Sequence, residues 1–294
     1  MKVFVTGASG WIGSGVVKLL LDEGHEVLGL VRSEKSAEKV KNLGATPVRG
    51  TLEDLDVIKE TCISADAVIH TAFLHDSFED YQKMCDTDLN VTNAMLDALS
   101  GTGKTLVCSN GLAGTGDEDT MSATTGMASV RGQIETVLIE RGEAENIRVA
   151  SVRLPPSVHG VGEHGFLIWL TSFAKDSGVS VYIEDGENVW GTVHRDDAAK
   201  LYVLALTKGA PGQRLHAVAE TVKFRQIAEV IGEKVGVPTK SIPIDEATSY
   251  LKILAPFASR DMTADSKLTR ERLEWTPTSV ELLEDYANPD YIAE

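Results

Sequence analysis

The sequence Thr6-Gly7-Ala8-Ser9-Gly10-Trp11-Ile12-Gly13 lies between a short apolar run typical of a buried strand and a pattern of apolar residues at helical spacing. A glycine-rich turn in this context can bind a pyrophosphate, because the helix N-terminus offers backbone N–H groups and the positive end of its dipole. The first glycine permits the tight turn, the second lets the backbone approach the phosphates, and the third allows close helix–strand packing. The stretch therefore predicts a dinucleotide-binding loop.

Strand and helix patterns alternate outward from this loop. The alternation predicts an α/β protein with a doubly wound, mostly parallel Rossmann sheet in the order 3-2-1-4-5-6 and about seven strands. We assign residues 1–156, completed by about 190–218, to the dinucleotide-binding domain, and residues 157–189 and 219–294 to a smaller C-terminal cap. Strands are predicted at 3–5, 26–31, 46–49, 67–70, 106–109, 148–153 and 215–218.

The composition restricts the class of function. The chain has 294 residues, 28 Lys and Arg against 44 Asp and Glu, and a net charge of −16. An acidic surface disfavours general binding to nucleic acid or to anionic membranes. The three cysteines show no C-x-x-C spacing, so we predict neither a disulfide framework nor a metal site. No apolar run is long enough for a signal peptide or a membrane span, which predicts a cytoplasmic protein.

Motifs along most of the chain carry a resemblance to a known family. The loop has the spacing T-G-x-x-G-x-x-G, and it resembles the extended branch of the short-chain dehydrogenase/reductases, of NAD(P)-dependent epimerase/dehydratase type. The further motifs that resemble this family, in the family's order, are His70-Thr71-Ala72, Asn90-Val91-Thr92-Asn93, the segment from Arg153 to Gly160, and the segment from Val193 to Ala199.

The resemblance implies a nicotinamide dinucleotide at the carboxyl edge of the sheet. Thr51 stands where the family commonly has an aspartate near the adenine, which leaves the side-chain contact there in question. The predicted cofactor-binding residues are Gly7, Ser9, Gly10, Trp11, Ile12, Gly13, Arg32, Ser33, Thr51, Leu52, Thr71, Ala72, Phe73, Arg131, Leu154, Pro155 and Val158.

The end of the second strand bears on the choice of cofactor. An NAD site usually has an acid there that binds the ribose 2′-hydroxyl, but this strand runs into Arg32 and Ser33. The Arg32 fork can pair with a 2′-phosphate, Ser33 can donate a hydrogen bond to it, and Lys35 adds charge. We predict NADP(H), with NAD(H) as the alternative.

The catalytic positions of the family are altered. Its chemistry uses the pattern Y-x-x-x-K-x-x-x-E, in which Tyr exchanges a proton and Lys lowers the Tyr pKa and binds ribose hydroxyls. Between residues 109 and 148 there is neither Tyr nor Lys, and the best match places Met127 at the Tyr position, Arg131 at the Lys position and Glu135 at the trailing acid. Methionine cannot transfer a proton, whereas Arg131 keeps a positive charge that can bind ribose.

Other residues would then have to serve the reacting oxygen. Ser109 and Asn110 follow the fifth strand and can donate hydrogen bonds to the substrate. His75, oriented by Asp76 in the loop after the fourth strand, is a candidate proton donor, and His159 is the alternative. Each histidine can also be a hydrogen-bonded structural residue.

Three functions are consistent with these features. The first is an NADP(H)-dependent oxidoreductase that acts on a small carbonyl or alcohol compound. The second is a non-catalytic NADP(H)-binding sensor or interaction protein, and the third is a sugar-nucleotide epimerase or dehydratase, against which the loss of the Tyr counts. The expected partner is a small-molecule substrate, without nucleic acid or membrane, and a homodimer is left open.

Overall fold

The computed structural model describes residues 1–74, 81–112, 116–124 and 129–292. The chain divides into two compact units, each assembled from three segments. Unit 1 comprises Met1–Arg153, Ala198–His216 and Lys267–Trp275, and unit 2 comprises Leu154–Asp197, Ala217–Ser266 and the chain from Thr276. Within the described ranges, no helix combines the length and the apolar character that crossing a bilayer requires.

Unit 1 contains a seven-stranded sheet in the order β10-β6-β5-β4-β1-β2-β3. The pairs β1–β2, β1–β4, β2–β3, β4–β5 and β6–β10 are parallel. The predicted Rossmann order is therefore confirmed, and the seventh strand adds to β6. The strands are β1 (Lys2–Thr6), β2 (Glu26–Val31), β3 (Thr46–Arg49), β4 (Ala67–His70), β5 (Thr105–Gly111), β6 (Arg148–Leu154) and β10 (Gln213–His216).

Helices connect these strands because their apolar faces pack against the sheet. Fully buried residues of β1, β4 and β5, such as Phe4, Val68 and Leu106, pack with helical residues such as Ile58 and Met95 in one core. The helices that lie wholly or mainly in unit 1 are α1 (Trp11–Asp22), α2 (Glu34–Leu43), α3 (Leu55–Ser64), α4 (Tyr81–Leu99), α5 (Ser129–Ala144), α7 (Arg195–Lys208) and α11 (Lys267–Leu273).

Unit 2 has its own core around the fully buried Trp190, which packs edge-on against Phe224 with ring centroids 5.0 Å apart. It holds a three-stranded sheet in the order β11-β9-β7 and a parallel pair β12-β8. Its elements are β7 (Ser157–His159), α6 (Phe166–Ser177), β8 (Ser180–Ile183), β9 (Val189–His194), β11 (Glu220–Lys223), α8 (Phe224–Val235), β12 (Thr239–Ile242), α9 (Ala247–Leu251), α10 (Ala255–Ala258) and α12 (Leu282–Ala287).

The unit boundaries differ from the predicted domains in four places, of which residues 154–156 and 217–218, both in unit 2, are short end segments. Residues 190–197 were assigned by sequence to the dinucleotide-binding domain, but they lie in unit 2 because β9 pairs with β7 and β11. Residues 267–275 were assigned to the cap, but they lie in unit 1, where the Glu118 carboxylate accepts hydrogen bonds from the backbone N–H groups of Leu268 and Thr269.

A fully buried ion pair joins α5 to β6. The Arg153 Nε and Nη2 atoms donate to the two carboxylate oxygens of Glu135 at 2.9 and 2.6 Å. Ser151 Oγ and Ser122 Oγ donate to the same carboxylate, and Arg153 also donates to the Thr120 carbonyl at 2.7 Å. The pair therefore fixes the segment around residues 120–122 against the sheet.

Candidate dinucleotide-binding site

The glycine loop follows β1 and leads into α1. Gly7 has a φ of +69°, a conformation that side chains disfavour, and its carbonyl accepts a hydrogen bond from the Gly10 N–H at 2.8 Å. A Cβ on Gly13 would lie 2.1 Å from the Gly7 oxygen, so only glycine lets α1 approach the loop this closely. No side chain caps α1 at Gly10. This is the cradle that a pyrophosphate requires, and it agrees with the predicted loop.

Cations follow β2 in the chain, and one of them reaches this loop. Arg32 is exposed, and the adjacent Ser33 caps α2 by accepting a hydrogen bond from the Ser36 N–H at 3.2 Å. Lys39 Nζ, in α2, donates to the Ser9 carbonyl of the loop at 2.8 Å. The sequence analysis missed Lys39. It lies one helical turn after Lys35, but only the packing of α2 against the loop brings its amine there.

The family commonly has an aspartate at the position of Thr51. In this chain the carboxylate of Asp54 orders the loop after β3 instead. The Thr51 N–H and hydroxyl both donate to Asp54, at 2.7 and 2.9 Å, and the hydrogen bonds from the Thr51 backbone and side chain lower the pKa of that exposed carboxyl. Leu52 is buried. Thr51 therefore orders its own turn.

Arg131 is held firmly at the carboxyl edge of the sheet. Its Nη1 atom donates to Asp88 Oδ2 at 2.5 Å, and its Nη2 atom donates to the Ser109 carbonyl at 2.9 Å. The guanidinium lies over the Phe73 ring, 4.6 Å from the centroid. The side chain is 16% exposed, so part of it is open to a ligand.

Asp88 continues this network to the glycine loop. Its Oδ1 atom accepts from His70 Nε2 at 3.0 Å, and His70 Nδ1 is hydrogen-bonded to the Thr6 hydroxyl at 2.6 Å. Burial acts to raise the pKa of the Asp88 carboxyl, but the Arg131 charge and the His70 hydrogen bond outweigh it and hold the pKa below its ordinary value. Asp88 is therefore a buried, charged carboxylate.

The side chains of Ser109 and Asn110 already have protein partners. Ser109 Oγ donates to the His70 carbonyl at 2.9 Å, so the Tyr202 hydroxyl, 2.6 Å away, donates to Ser109. Asn110 is buried, and its amide group donates to the Arg131 carbonyl at 3.1 Å. A role for either side chain toward a substrate remains a prediction.

His75 and Met127, named by the sequence analysis, lie outside the described residues. The sequence analysis missed Tyr81, which begins α4 and whose ring centroid is 6.5 Å from that of Phe73. Burial raises the pKa of Tyr81 to about 12.

Thr71, directly after β4, donates to the Thr6 carbonyl at 2.8 Å and thereby ties the ends of β4 and β1 together.

The chain that carries this arrangement of residues matches the model of a known protein family. The model of the NAD dependent epimerase/dehydratase family matches residues 3–218. The chain belongs to this family. The family acts on small molecules with a nicotinamide dinucleotide cofactor, and the glycine cradle of unit 1 fits such a cofactor.

Relatives of this epimerase/dehydratase family member span its length. An uncharacterized protein of Schizosaccharomyces pombe is 43% identical over 295 residues, which cover 99% of this chain and all of the relative. The 2-alkyl-3-oxoalkanoate reductase of Stenotrophomonas maltophilia is 24% identical over 271 residues, which cover 85% and 80% of the two chains. The structure of dTDP-glucose 4,6-dehydratase from Bacillus anthracis, solved in complex with NAD, matches with a TM-score of 0.75 at 15% identity, covering 99% and 95% of the chains, and shares the fold.

The alternative proton donor of the sequence analysis lies in unit 2. His159 is 1% exposed, its Nδ1 atom is 2.8 Å from Asp285 Oδ2, and burial lowers its pKa despite that carboxylate. His194 accepts a hydrogen bond from the Asp196 N–H and so orders its own loop. The remaining predicted cofactor residues, Leu154, Pro155 and Val158, also belong to unit 2, and their role stays a prediction.

Proposed function

We propose that this family member is an NADP(H)-dependent oxidoreductase that reduces a small carbonyl compound or oxidises the matching alcohol. The observation that carries the proposal is the intact glycine cradle, to which Lys39 is hydrogen-bonded, with Arg32 directly after β2. The preference for NADP(H) rests on charge, because a 2′-phosphate needs cations where an NAD site needs an acid. Arg32 directly follows β2, and Lys39 adds a cation that is hydrogen-bonded to the loop.

Arg32→Asp tests the cofactor preference. The substitution removes the proposed partner of the 2′-phosphate and places a like charge against it. Charge-assisted hydrogen bonds contribute about 1.5–3 kcal/mol, so NADPH affinity should fall at least about tenfold while NADH affinity changes less. Lys41→Asp, in the last turn of α2, is the matched control with the same change of charge. Titrations by cofactor fluorescence measure both; equal losses for the two cofactors would contradict the assignment to Arg32.

Reduction is favoured over epimerisation by what stands at the proton-transfer position. Epimerases and dehydratases need efficient proton shuttling at the family Tyr, and residues 109–148 contain no Tyr. Simple carbonyl reduction requires less of the proton-transfer group, because only one proton is delivered while the hydride comes from the bound nicotinamide.

The proton donor we propose is His75, with Asp76 to orient it. Its loop follows β4, the strand that ends beside the glycine loop. A histidine titrates near pH ~6.5 and can deliver a proton at neutral pH. Ser109, Asn110 and Arg131 would bind and orient the reacting groups, and Met127 would line the pocket.

Turnover of NADPH with a panel of aldehydes and ketones tests the activity. We expect NADPH oxidation with at least one carbonyl compound, and a pH limb near ~6.5 that His75→Gln removes together with most of the turnover. His159→Gln is the control, because that side chain is buried against Asp285. Tight NADPH binding with no turnover of any compound would favour the sensor, which the altered Tyr and Lys positions also suit.

A further inference from the structure

Asp88 is a buried carboxylate whose two oxygens serve two different partners. The residue is 4% exposed in the middle of α4, with Arg131 on Oδ2 and His70 on Oδ1. A charge this deep in a protein is strongly destabilising unless it is paired and hydrogen-bonded. Asp88 meets both conditions, so its position and that of Arg131 depend on each other.

The pairing changes what the charge on Arg131 can do. A lone cation beside an acid lowers the pKa of that acid, which is the use the family makes of its lysine. Here the adjacent Asp88 carboxylate compensates the Arg131 charge at 2.5 Å, so the pair exerts a much weaker field on a neighbouring group. This agrees with the absence of a Tyr from residues 109–148. Arg131 is therefore suited to binding by direct hydrogen bonds.

The geometry of the guanidinium supports such a binding role. Asp88 and the Ser109 carbonyl each accept one hydrogen bond from a different terminal nitrogen, and Phe73 packs under the plane. Each terminal nitrogen carries a second N–H that can donate to a hydroxyl group. A planar fork fixed in this way loses little conformational entropy when it binds a ligand.

We propose that Asp88 is a positioning residue for the cofactor: it fixes Arg131 so that the guanidinium donates to the ribose hydroxyls on the nicotinamide side. The inference rests on the proposed NADP(H)-dependent function and deepens it. Through His70 and Thr6 the same carboxylate is connected to the start of the glycine loop. The ribose-binding group and the pyrophosphate-binding loop thus share one hydrogen-bonded support.

Asp88→Asn is the principal test, because it keeps the size of the side chain and removes its charge. We expect NADPH to bind about tenfold more weakly or worse, and the KM for NADPH to rise more than kcat falls. The matched control is Asp97→Asn. Asp97 also lies on α4 and accepts from an α5 arginine, Arg141, at 2.8 Å, but its side chain is about half exposed. Its loss should leave NADPH affinity within about twofold.

A double-mutant cycle separates positioning from a merely structural role. In an Arg131→Met background, the further change Asp88→Asn should leave NADPH affinity unaltered, because the guanidinium that Asp88 positions is no longer present. In Arg131→Met the Asp88 carboxylate keeps its His70 partner, and the double variant leaves no unpaired buried charge, so this comparison remains available if Asp88→Asn alone does not fold. Folded protein is verified by thermal unfolding in every case.

Each outcome identifies which proposal fails. Wild-type affinity in folded Asp88→Asn, or a further loss when it is added to Arg131→Met, overturns the positioning role alone. Wild-type protein that binds neither NADPH nor NADH overturns the proposed function, and the positioning role with it. The inference is supported if Asp88→Asn weakens NADPH binding and Asp97→Asn does not. In the Arg131→Met background, Asp88→Asn should then have no effect on NADPH binding.

Discussion

Gly10→Val is expected to abolish the binding of both NADPH and NADH, with a loss of affinity of ~100-fold or more. A Cβ built on Gly10 lies 3.0 Å from the Gly7 oxygen, already a tight contact, and the two methyl groups of valine would extend beyond it. They would occupy the space through which the loop backbone approaches a pyrophosphate. Titration of cofactor fluorescence on the purified variant measures the loss.

The fold should survive this change. Gly10 is exposed and has a φ of −77°, which any residue adopts, so the substitution brings no backbone strain. Gly10→Ala is the graded control and should retain part of the affinity. Gly13→Ala is the contrasting variant, because its Cβ would collide with the Gly7 carbonyl and displace α1 itself. Normal cofactor binding by folded Gly10→Val would contradict the dinucleotide loop.

Arg153→Met is expected to lower the free energy of unfolding by about 3–5 kcal/mol, since it leaves the buried Glu135 carboxylate without its cation. Both side chains are fully buried, and two hydrogen bonds join them. Urea denaturation measures the effect. The exposed pair of Arg225 and Glu229, 2.9 Å apart, provides the control: Arg225→Met should change the free energy of unfolding far less than Arg153→Met does.

The pH dependence of this loss follows from the sign of the Glu135 shift. Burial acts to raise the pKa of Glu135, but the Arg153 hydrogen bonds and charge outweigh it and lower the pKa below its ordinary 4.5. The pair therefore stabilises the fold above pH 4.5, and this contribution is lost as the pH falls through the lowered value. The difference between wild type and Arg153→Met should shrink in acid. Combining Arg153→Met with Glu135→Gln should recover stability at neutral pH, and an equal loss in both variants would exclude the unpaired charge as the cause.

Local patterns were sufficient for the sheet and for the phosphate loop. Strand and helix periodicity are local properties, and the observed β3 and β4 match the predicted 46–49 and 67–70 residue for residue. The family motifs also pointed to residues that meet: Glu135 ends one motif and Arg153 begins another, and they form the buried pair. Their shared role in the fold was not visible from spacing alone.

What the sequence could not provide depends on packing between distant segments. Asp88 and Arg131 are brought together by the packing of α4 against α5, and Lys39 meets Ser9 through the docking of α2 on the loop. The engagement of Ser109 by Tyr202 joins residues far apart in sequence. Residues 190–197 lie in unit 2 for the same reason, because strand pairing, not periodicity, places β9.

The three-segment construction of unit 1 sets the order in which the protein can be completed on the ribosome. The outer edge of β6 has no partner until β10 emerges, and the buried Glu118 carboxylate has no backbone partners until α11 has been made. An open strand edge in a parallel sheet invites pairing with other chains. The outer edge of β6 therefore stays open while the first segment of unit 2, Leu154–Asp197, is synthesised. A fragment cut after Arg153 would remain in that exposed state permanently.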